Sequence, residues 1–156
     1  MAIEGVPLTL VVDTSVAAKW YLREELRAEA LEVLRAGQRG EVLLLAPESV
    51  EPELWNVLWQ RHCRGELSPE EVRGYWGNFR ETPVFLTDVR QLMPLAAEVA
   101  LQSGCIIYDT LFVALAEAEE AVVVTADEKL LRTLEGTSYA GRVAYVRDVG
   151  DLLSTS

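Results

Sequence analysis

Short apolar runs recur along the chain, separated by longer stretches in which apolar and polar positions follow helical spacing. The predicted strands occupy residues 8–12, 42–46, 84–86, 121–125 and 142–146. Solidly apolar runs of this length are typical of strands that are buried on both faces of a parallel sheet. Because a helical pattern lies between successive strands, we predict one α/β domain over residues 1–156, with helices on both faces of the sheet.

Capping residues and prolines mark where the helices begin and end. The predicted helices occupy residues 16–37 (with a break near position 23), 52–65, 68–80, 88–103, 109–119 and 127–134. Thr14 or Ser15 is expected to cap the first helix, and Pro52 to open the second, because proline is tolerated in a first turn. Ser68 begins a predicted capping box. Pro94 predicts either a late start or a kink in its helix.

The overall composition limits the class of protein. A chain of 156 residues is long enough for one domain with a proper core, and a hydrophobic content of 50% excludes a disordered chain. No apolar run approaches the roughly 18 residues of a membrane helix. Residues 1–5 lack the pattern of a signal peptide. Cys63 and Cys105 do not form a disulfide framework, so the cytoplasm, with both thiols reduced, is the expected compartment.

The net charge of the chain is −11, from 25 acids and 14 bases. General nucleic-acid-binding proteins usually carry the opposite sign, because lysine and arginine must neutralise phosphates. An acidic protein can still act on phosphates where bound metal cations supply positive charge locally. The balance therefore argues against a simple nucleic-acid-coating module and leaves a metal-dependent enzyme open.

Two acids follow predicted buried strands. Asp13 comes directly after the strand at residues 8–12, and Asp127 follows the strand at residues 121–125. Ligands of open α/β sheets bind beyond the carboxyl ends of the strands, at the point where the strand order reverses. If the two strands are neighbours there, both carboxylates meet in one crevice. Considered alone, Asp13 could simply end a strand, and Asp127 could be a helix cap.

Two further acids are candidates for the same site. Asp109 precedes a helix that is apolar nearly all round, where an acid needs a partner or a metal. Glu53, Asn56 and Gln60 follow one another at helical spacing and form a polar stripe, which is either a solvated face or part of a site. Glu51 is a second choice, because it lies before the proline and off the stripe.

Four carboxylates in one place would repel one another and take up protons unless a cation compensated their charge. A set of oxygen ligands suits Mg²⁺ or Mn²⁺ rather than zinc. A zinc site built from His62, Cys63 and Cys105 is weakly indicated, since the three residues lack paired spacing, and Cys105 is expected to pack in the core. The sequence contains no Walker loop, dinucleotide-binding glycine pattern or nucleophile elbow. A single histidine also disfavours Ser-His-Asp chemistry.

Four stretches contain the candidate acids, namely Asp13-Thr14-Ser15-Val16, Glu53-Leu54-Trp55-Asn56-Val57-Leu58, Tyr108-Asp109-Thr110-Leu111-Phe112-Val113-Ala114-Leu115-Ala116 and Val124-Thr125-Ala126-Asp127-Glu128-Lys129-Leu130. They resemble the motifs of PIN-domain nucleases, particularly the VapC-type toxins of toxin–antitoxin pairs. The order and spacing of these stretches match those of the family over essentially the whole chain. The resemblance implies a three-layer α/β/α PIN-like fold with a central parallel sheet of four or five strands.

The resemblance also implies a reaction, which is the metal-dependent hydrolysis of an RNA phosphodiester. The acidic tetrad of the family falls on Asp13, Glu53, Asp109 and Asp127, which would hold Mg²⁺ or Mn²⁺. The metal would lower the pKa of its bound water and offset negative charge on the phosphorus. Ser15 and Asn56 are expected to support the acids. Lys19 and Arg23 are expected to contact the phosphates of the RNA.

Two other functions compete with this interpretation. A receiver-like signalling domain also gathers acids at strand ends and binds Mg²⁺, but here no strand ends in the lysine that such a domain needs. A PIN-like domain that binds RNA or a protein without cutting would keep the same ligands and lack turnover. Metal-dependent cleavage of RNA separates this second alternative from the nuclease.

The resemblance implies two protein partners, a second copy of the chain and a small antitoxin encoded next to it. An anionic pocket would accept a basic segment of the antitoxin near Asp13 and Asp109. The helices at residues 52–65 and 68–80 are also rich in large apolar side chains, which often marks an interface. These side chains are Trp55, Leu58, Trp59, Leu67, Tyr75, Trp76 and Phe79. We therefore predict that the antitoxin tail lies along this helix pair.

Overall fold

The computed structural model describes residues 7–155, which form five strands and eight α-helices. The strands are β1 (Leu8–Val12), β2 (Val42–Pro47), β3 (Val84–Thr87), β4 (Val122–Thr125) and β5 (Val143–Tyr145). The helices are α1 (Thr14–Lys19), α2 (Arg27–Gln38), α3 (Val50–Cys63), α4 (Pro69–Arg80), α5 (Val89–Ser103), α6 (Ile107–Ala118), α7 (Glu128–Leu134) and α8 (Val149–Ser154). Residues 1–5, where the sequence lacks a signal-peptide pattern, lie outside the described residues.

The five strands form one parallel sheet in the order β3-β2-β1-β4-β5. Helices flank this sheet, which confirms the predicted three-layer α/β/α arrangement. The order of the strands reverses between β1 and β4, and Val12 pairs with Val124 at that point. The prediction that these two strands are neighbours is therefore correct. A receiver-like domain has the order 2-1-3-4-5, so the topology excludes that alternative.

Three helix boundaries differ from the predicted ones. Asp13, rather than Thr14 or Ser15, caps α1, because its side chain accepts a hydrogen bond from the backbone N–H of Ser15. Helix α3 begins at Val50, two residues before Pro52. Proline is tolerated at this third position because the first N–H groups of a helix have no acceptor within it. Helix α6 begins at residue 107 and not at 109, which places Asp109 inside its first turn.

Helices α4 and α5 begin where their capping residues predict, whereas α8 has no such signal. The capping box at Ser68 forms as predicted, with Glu71 as the reciprocating residue. Pro94 causes no late start, since α5 begins at Val89 with Asp88 as its cap. Helix α8 was not predicted, because its six residues carry no clear helical pattern.

Helix α6 lies in the middle of the core. All seven of its residues from Thr110 to Ala116 are buried, and the helix contacts β1, β2 and β4. Such burial requires a helix that is apolar nearly all round, as the sequence of this segment is. The packing carries the first turn of α6 to the carboxyl edge of the sheet. In the described part of the chain no single helix is long and apolar enough to cross a membrane, and α5 with α6 reaches those limits only as a pair bent by 114°.

Candidate active site

Asp13 lies where the strand order reverses and is 8% exposed. Its Oδ2 atom accepts hydrogen bonds from the hydroxyl of Ser15 and, at 2.9 Å, from Oγ1 of Thr125. Burial raises the pKa of Asp13, and the charge of Asp127 raises it further, whereas the hydrogen bonds from Ser15 and Thr125 oppose the shift. Two hydroxyls therefore partly compensate for the loss of water around this carboxylate.

Hydroxyl groups also connect the segments that follow β1 and β4. The Ser15 hydroxyl accepts a hydrogen bond of 2.9 Å from the backbone N–H of Ala126, and Thr125 Oγ1 accepts one of 3.0 Å from that of Asp127. Each hydroxyl thus donates to Asp13 and accepts from the backbone after β4. This network fixes the turn that presents Asp127 relative to Asp13.

Asp127 is exposed and caps α7, since its Oδ1 accepts a hydrogen bond of 2.9 Å from the backbone N–H of Lys129. The capping role that its sequence position allowed is therefore real. It does not remove the residue from the site, because the charge of Asp127 also acts on the carboxyl groups of Asp13 and Asp109.

Glu53 reaches the same edge of the sheet from the first turn of α3. Its Oε2 atom accepts a hydrogen bond of 3.3 Å from Oγ1 of Thr14 in α1. Burial raises the pKa of Glu53 to about 7, with contributions from the charges of Asp13 and Asp109 and opposition from the Thr14 hydroxyl. An acid of this kind holds its proton near neutral pH until a cation arrives.

Asp109 completes the group from the first turn of α6. Burial raises its pKa to about 6, and the charges of Asp13 and Asp127 raise it as well. The ammonium of Lys129 acts in the opposite direction and lowers this pKa. All four predicted acids therefore interact electrostatically, although four separate elements carry them.

The chemistry of this group fits a divalent cation. All the donors are carboxylates, and oxygen ligands are those that Mg²⁺ and Mn²⁺ prefer. The raised pKa values of Asp13, Glu53 and Asp109 result from burial and from mutual repulsion, which a cation would relieve. Across residues 7–155, no three His, Cys, Asp or Glu side chains stand close enough together to hold a metal ion as they are placed. The carboxylates would have to move together as an ion binds.

Two shallow hollows meet at Asp109. Glu53 and Asn56 line the first together with Asp109, and Asp127 and Lys129 line the second together with Asp109. The other lining residues are Ser49, Pro52, Ile106 and Tyr108 in the first hollow, and Gly104, Cys105, Ile106, Leu130 and Thr133 in the second. Glu53, Asp109 and Asp127 thus lie on a surface that an extended polymer can reach, whereas the buried Asp13 lines neither hollow.

Of the four predicted supporting residues, two lie at the acids and two lie outside both hollows. Ser15 contacts Asp13 directly, and Asn56 shares the first hollow with Glu53. Lys19 is largely buried and forms an ion pair of 3.4 Å with Glu24, and it lines neither hollow. Arg23 is exposed and also lies outside both hollows, so phosphate contact by these two bases stays a prediction without geometric support.

Three residues near the acids were given no role in the site from the sequence. Thr14 was considered only as a helix cap, whereas Thr125 and Lys129 lie in the fourth motif without a role of their own. In the structure Thr14 bonds Glu53, Thr125 bonds Asp13, and the charge of Lys129 lowers the pKa of Asp109. The sequence offered two signals for a role in the site. Thr125 is a hydroxyl residue two positions before Asp127, and Lys129 is a cation two positions after it. Cys105 lines the second hollow and is half-buried, so the expectation that it packs in the core is only partly correct.

Comparison with known proteins assigns the family. The family model described as the PIN domain matches residues 10–135 of this chain, which contain all four acids. The chain belongs to the PIN domain family. A curated relative of this PIN domain is Ribonuclease VapC3 of Pyrobaculum aerophilum, which is 28% identical over 123 residues, covering 79% of this chain and 92% of the relative.

Solved structures agree with this assignment at the level of the fold. A crystal structure of a Pyrobaculum aerophilum protein superposes with a TM-score of 0.66 at 18% identity, covering 99% of this chain and 95% of that one. A toxin–antitoxin complex from Klebsiella pneumoniae gives a TM-score of 0.58 at 12% identity, covering 88% and 97% of the two chains. VapBC2 from Rickettsia felis, bound to a promoter DNA fragment, also gives 0.58, at 15% identity with 88% and 98% covered.

Proposed function

We propose that this PIN domain is a divalent-metal-dependent endoribonuclease and the toxin of a toxin–antitoxin pair. The family and the relative named as a ribonuclease support the nuclease, and the toxin–antitoxin complexes among its structural neighbours support the pairing. The observation that carries the proposal is that Asp13, Glu53, Asp109 and Asp127 lie near the β1–β4 switch point, where the charges of Asp13, Asp109 and Asp127 raise the pKa of neighbouring carboxyl groups.

Asp13, Asp109 and Asp127 would hold Mg²⁺ or Mn²⁺, with Glu53 as a further ligand or as the group that orients the attacking water. The cation would lower the pKa of water and offset the negative charge of the phosphate. The chain's own residues supply the frame for this chemistry. Ser15 and Thr125 hold Asp13, and Thr14 holds Glu53, so that each carboxylate keeps its direction at the moment of reaction.

The antitoxin is proposed to occupy the tryptophan face, which comprises Trp55, Trp59 and Trp76. Trp55 and Trp59 are 39% and 50% exposed, and Trp55 packs edge-on against Trp76 with 5.5 Å between the ring centroids. Of the large side chains on this helix pair, Leu58 and Phe79 fill the core, so the apolar surplus is smaller than the sequence indicated. Three aromatic rings on an accessible surface still suit the apolar side of a peptide.

A second copy of the chain is proposed to dock on the uncharged corner, which comprises residues 99–108, where α5 ends and α6 begins. These ten residues are the longest run without Asp, Glu, Lys or Arg in the sequence. Leu101, Ile106 and Tyr108 are nevertheless 81%, 62% and 58% exposed. Ile106 and Tyr108 border the acidic hollows, whereas Leu101 lines neither of them. Two copies of a chain with a net charge of −11 would therefore repel each other least around Leu101 at the end of α5, which makes this part of the corner the favoured place for self-association.

A cleavage assay on purified protein tests the proposed function. We expect the chain to cut single-stranded RNA with Mg²⁺ or Mn²⁺ and to stop in EDTA, and Asp13→Asn to be folded but inactive. Because water is the proposed nucleophile, the products should carry no 2′,3′-cyclic phosphate. Cleavage that persists in EDTA would contradict the mechanism. Metal-dependent binding of RNA without cleavage would favour the alternative of a catalytically silent PIN-like domain.

A further inference from the structure

Lysine is rare in this chain, and one of its two lysines lies at the acidic site. The chain contains 12 arginines but only Lys19 and Lys129 as lysines. Lys19 is paired with Glu24, and only 12% of its side chain is exposed. Lys129 is exposed and lines the second hollow with Asp109 and Asp127. The proposed function assigns no role to this cation.

The backbone of Lys129 is held firmly, whereas its ammonium is not engaged in a close ion pair. Its N–H donates to Asp127, and its carbonyl accepts a hydrogen bond of 2.8 Å from Oγ1 of Thr133. Within residues 7–155, no carboxylate oxygen lies within 4.0 Å of its Nζ. The ammonium therefore forms no close ion pair with a carboxylate of residues 7–155, although its charge is near enough to Asp109 to lower the pKa of that acid.

The hollow combines one base and two acids with less polar side chains. Leu130 and Ile106 line it beside Gly104 and Cys105. Asp109 and Asp127 would repel an isolated phosphate, so an anion can stay in this hollow only if a cation lies on its path. Lys129 supplies one positive charge there. The divalent ion that Asp109 and Asp127 would hold under the proposed function would offset their repulsion of the phosphate. A nucleotide fits this arrangement because it combines a phosphate with the less polar surface of a sugar.

We propose that the second hollow is a phosphate subsite for the RNA chain and that Lys129 contacts a non-bridging oxygen of a phosphate next to the one that is cut. This inference rests on the proposed function, since it names a binding position for the substrate of that same site. Lys129 is thus a positioning residue, which fixes the register of the strand on the acids. It takes no part in proton transfer or in bond cleavage.

Binding measurements on the Asp13→Asn protein test this subsite without interference from cleavage. The probe is a fluorescent single-stranded RNA oligonucleotide, titrated in Mg²⁺ at several salt concentrations. We expect Lys129→Ala to weaken binding about tenfold at low salt and to lower the slope of log K against log salt by about 0.7, the contribution of one contact to a single strand. Lys129→Arg should keep most of the affinity, because it keeps the charge.

Arg132→Ala is the matched control. Arg132 lies one turn further along α7, is exposed, pairs with Glu128 at 3.7 Å and does not line the hollow. Its removal should leave both the affinity and the salt slope unchanged, and thermal unfolding should show that both variants are folded. In the active protein, Lys129→Ala should raise KM more than it lowers kcat.

The outcomes separate this inference from the proposed function. If Lys129→Ala binds RNA with the same affinity and slope as its parent, the subsite is overturned even where the wild-type chain cuts RNA. An equal loss in Arg132→Ala would also overturn it, because general charge would then explain the effect. If the wild-type chain cuts no RNA but binding depends on Lys129, the subsite stands and the nuclease fails. A chain that binds no RNA overturns both.

Discussion

Oγ1 of Thr125 lies 2.9 Å from Oδ2 of Asp13, although 112 residues separate the two in sequence. The contact exists because β1 and β4 are neighbours at the switch point of the sheet. Thr125 is fully buried, and the same oxygen accepts the backbone N–H of Asp127. One hydroxyl therefore orients one acid and fixes the backbone of another.

Replacing Thr125 with valine should damage both stability and catalysis. Valine keeps the shape but leaves the N–H of Asp127 and one side of Asp13 without a partner, which costs about 1–3 kcal/mol of unfolding free energy. We expect kcat to fall at least tenfold, as the carboxylates lose their alignment. Denaturant unfolding and RNA cleavage measure the two effects. Thr125→Ser, which keeps the hydroxyl, is the control, and equal losses in both variants would show that the hydroxyl is unimportant.

The stability of the metal-free chain should fall as the pH rises from about 4 to about 7. Folding raises the pKa of Glu53 from 4.5 to about 7 and that of Asp109 from 3.8 to about 6. In this range the folded state binds more protons than the unfolded state, so deprotonation removes stability, on the order of 2 kcal/mol in total after allowance for solvent screening. Thermal unfolding in EDTA between about pH 5 and pH 8 measures the loss.

Two changes should reduce this loss of stability at higher pH. Mg²⁺ or Mn²⁺ should restore stability above about pH 7, because the cation compensates the charges that appear there. Glu53→Gln should flatten the profile in EDTA, since one of the two titrating groups is gone. A profile that is flat in the wild-type chain would mean that the two carboxyl groups do not interact as their placement indicates.

The tryptophan face should contribute strongly to antitoxin binding. Trp55→Ala is expected to weaken the complex with the small protein encoded next to this chain by about 2 kcal/mol or more, the usual effect of an aromatic residue at the centre of an interface. Calorimetric titration measures it. Phe85→Ala is the control, because Phe85 is 62% exposed but lies on β3 at the edge of the sheet. Tight binding by Trp55→Ala would place the antitoxin elsewhere.

The uncharged corner should control self-association. Leu101→Glu places a charge on the part of residues 99–108 that lines neither hollow of the acidic site, where two copies would otherwise meet with the least repulsion. We expect the wild-type chain to sediment as a dimer and this variant as a monomer at the same concentration. Glu98→Lys, just outside the run, should leave the mass unchanged. A monomeric wild-type chain, or a variant that remains dimeric, would contradict the proposed interface.

Much of the fold follows from local signals in the sequence. The apolar runs predicted all five strands. Burial on both faces explains the apolar sequences of β1, β2 and β4, whereas β3 lies at the edge of the sheet with Phe85 62% exposed. The neighbouring positions of β1 and β4 followed from the chemistry of two acids that had to converge. The start of α3 could not be read from Pro52, because proline is tolerated anywhere in a first turn. The short helix α8 lacks a pattern altogether.

The acids of the candidate site were predictable, and the side chains around them were not. Motif spacing pointed to Asp13, Glu53, Asp109 and Asp127, and in the structure each of the four interacts electrostatically with at least one of the others. The role of Thr125 depends on the register between two strands, which a single sequence does not specify. The ion pair of Lys19 with Glu24 was not predictable for a similar reason, since it depends on how the chain turns after α1.

Titration of Mn²⁺ into the wild-type chain and its Asp109→Asn variant, followed by calorimetry, tests most directly whether these carboxylates form a metal site. We predict saturable binding to the wild-type chain and a loss of at least tenfold in affinity in Asp109→Asn, with Glu98→Gln on the exposed side of α5 unchanged. Binding should release protons, and more of them at about pH 6.5 than at about pH 8.5, because Glu53 and Asp109 hold protons near neutrality. Equal affinity in the wild-type and Asp109→Asn chains, or no binding to the wild-type chain, would contradict the account.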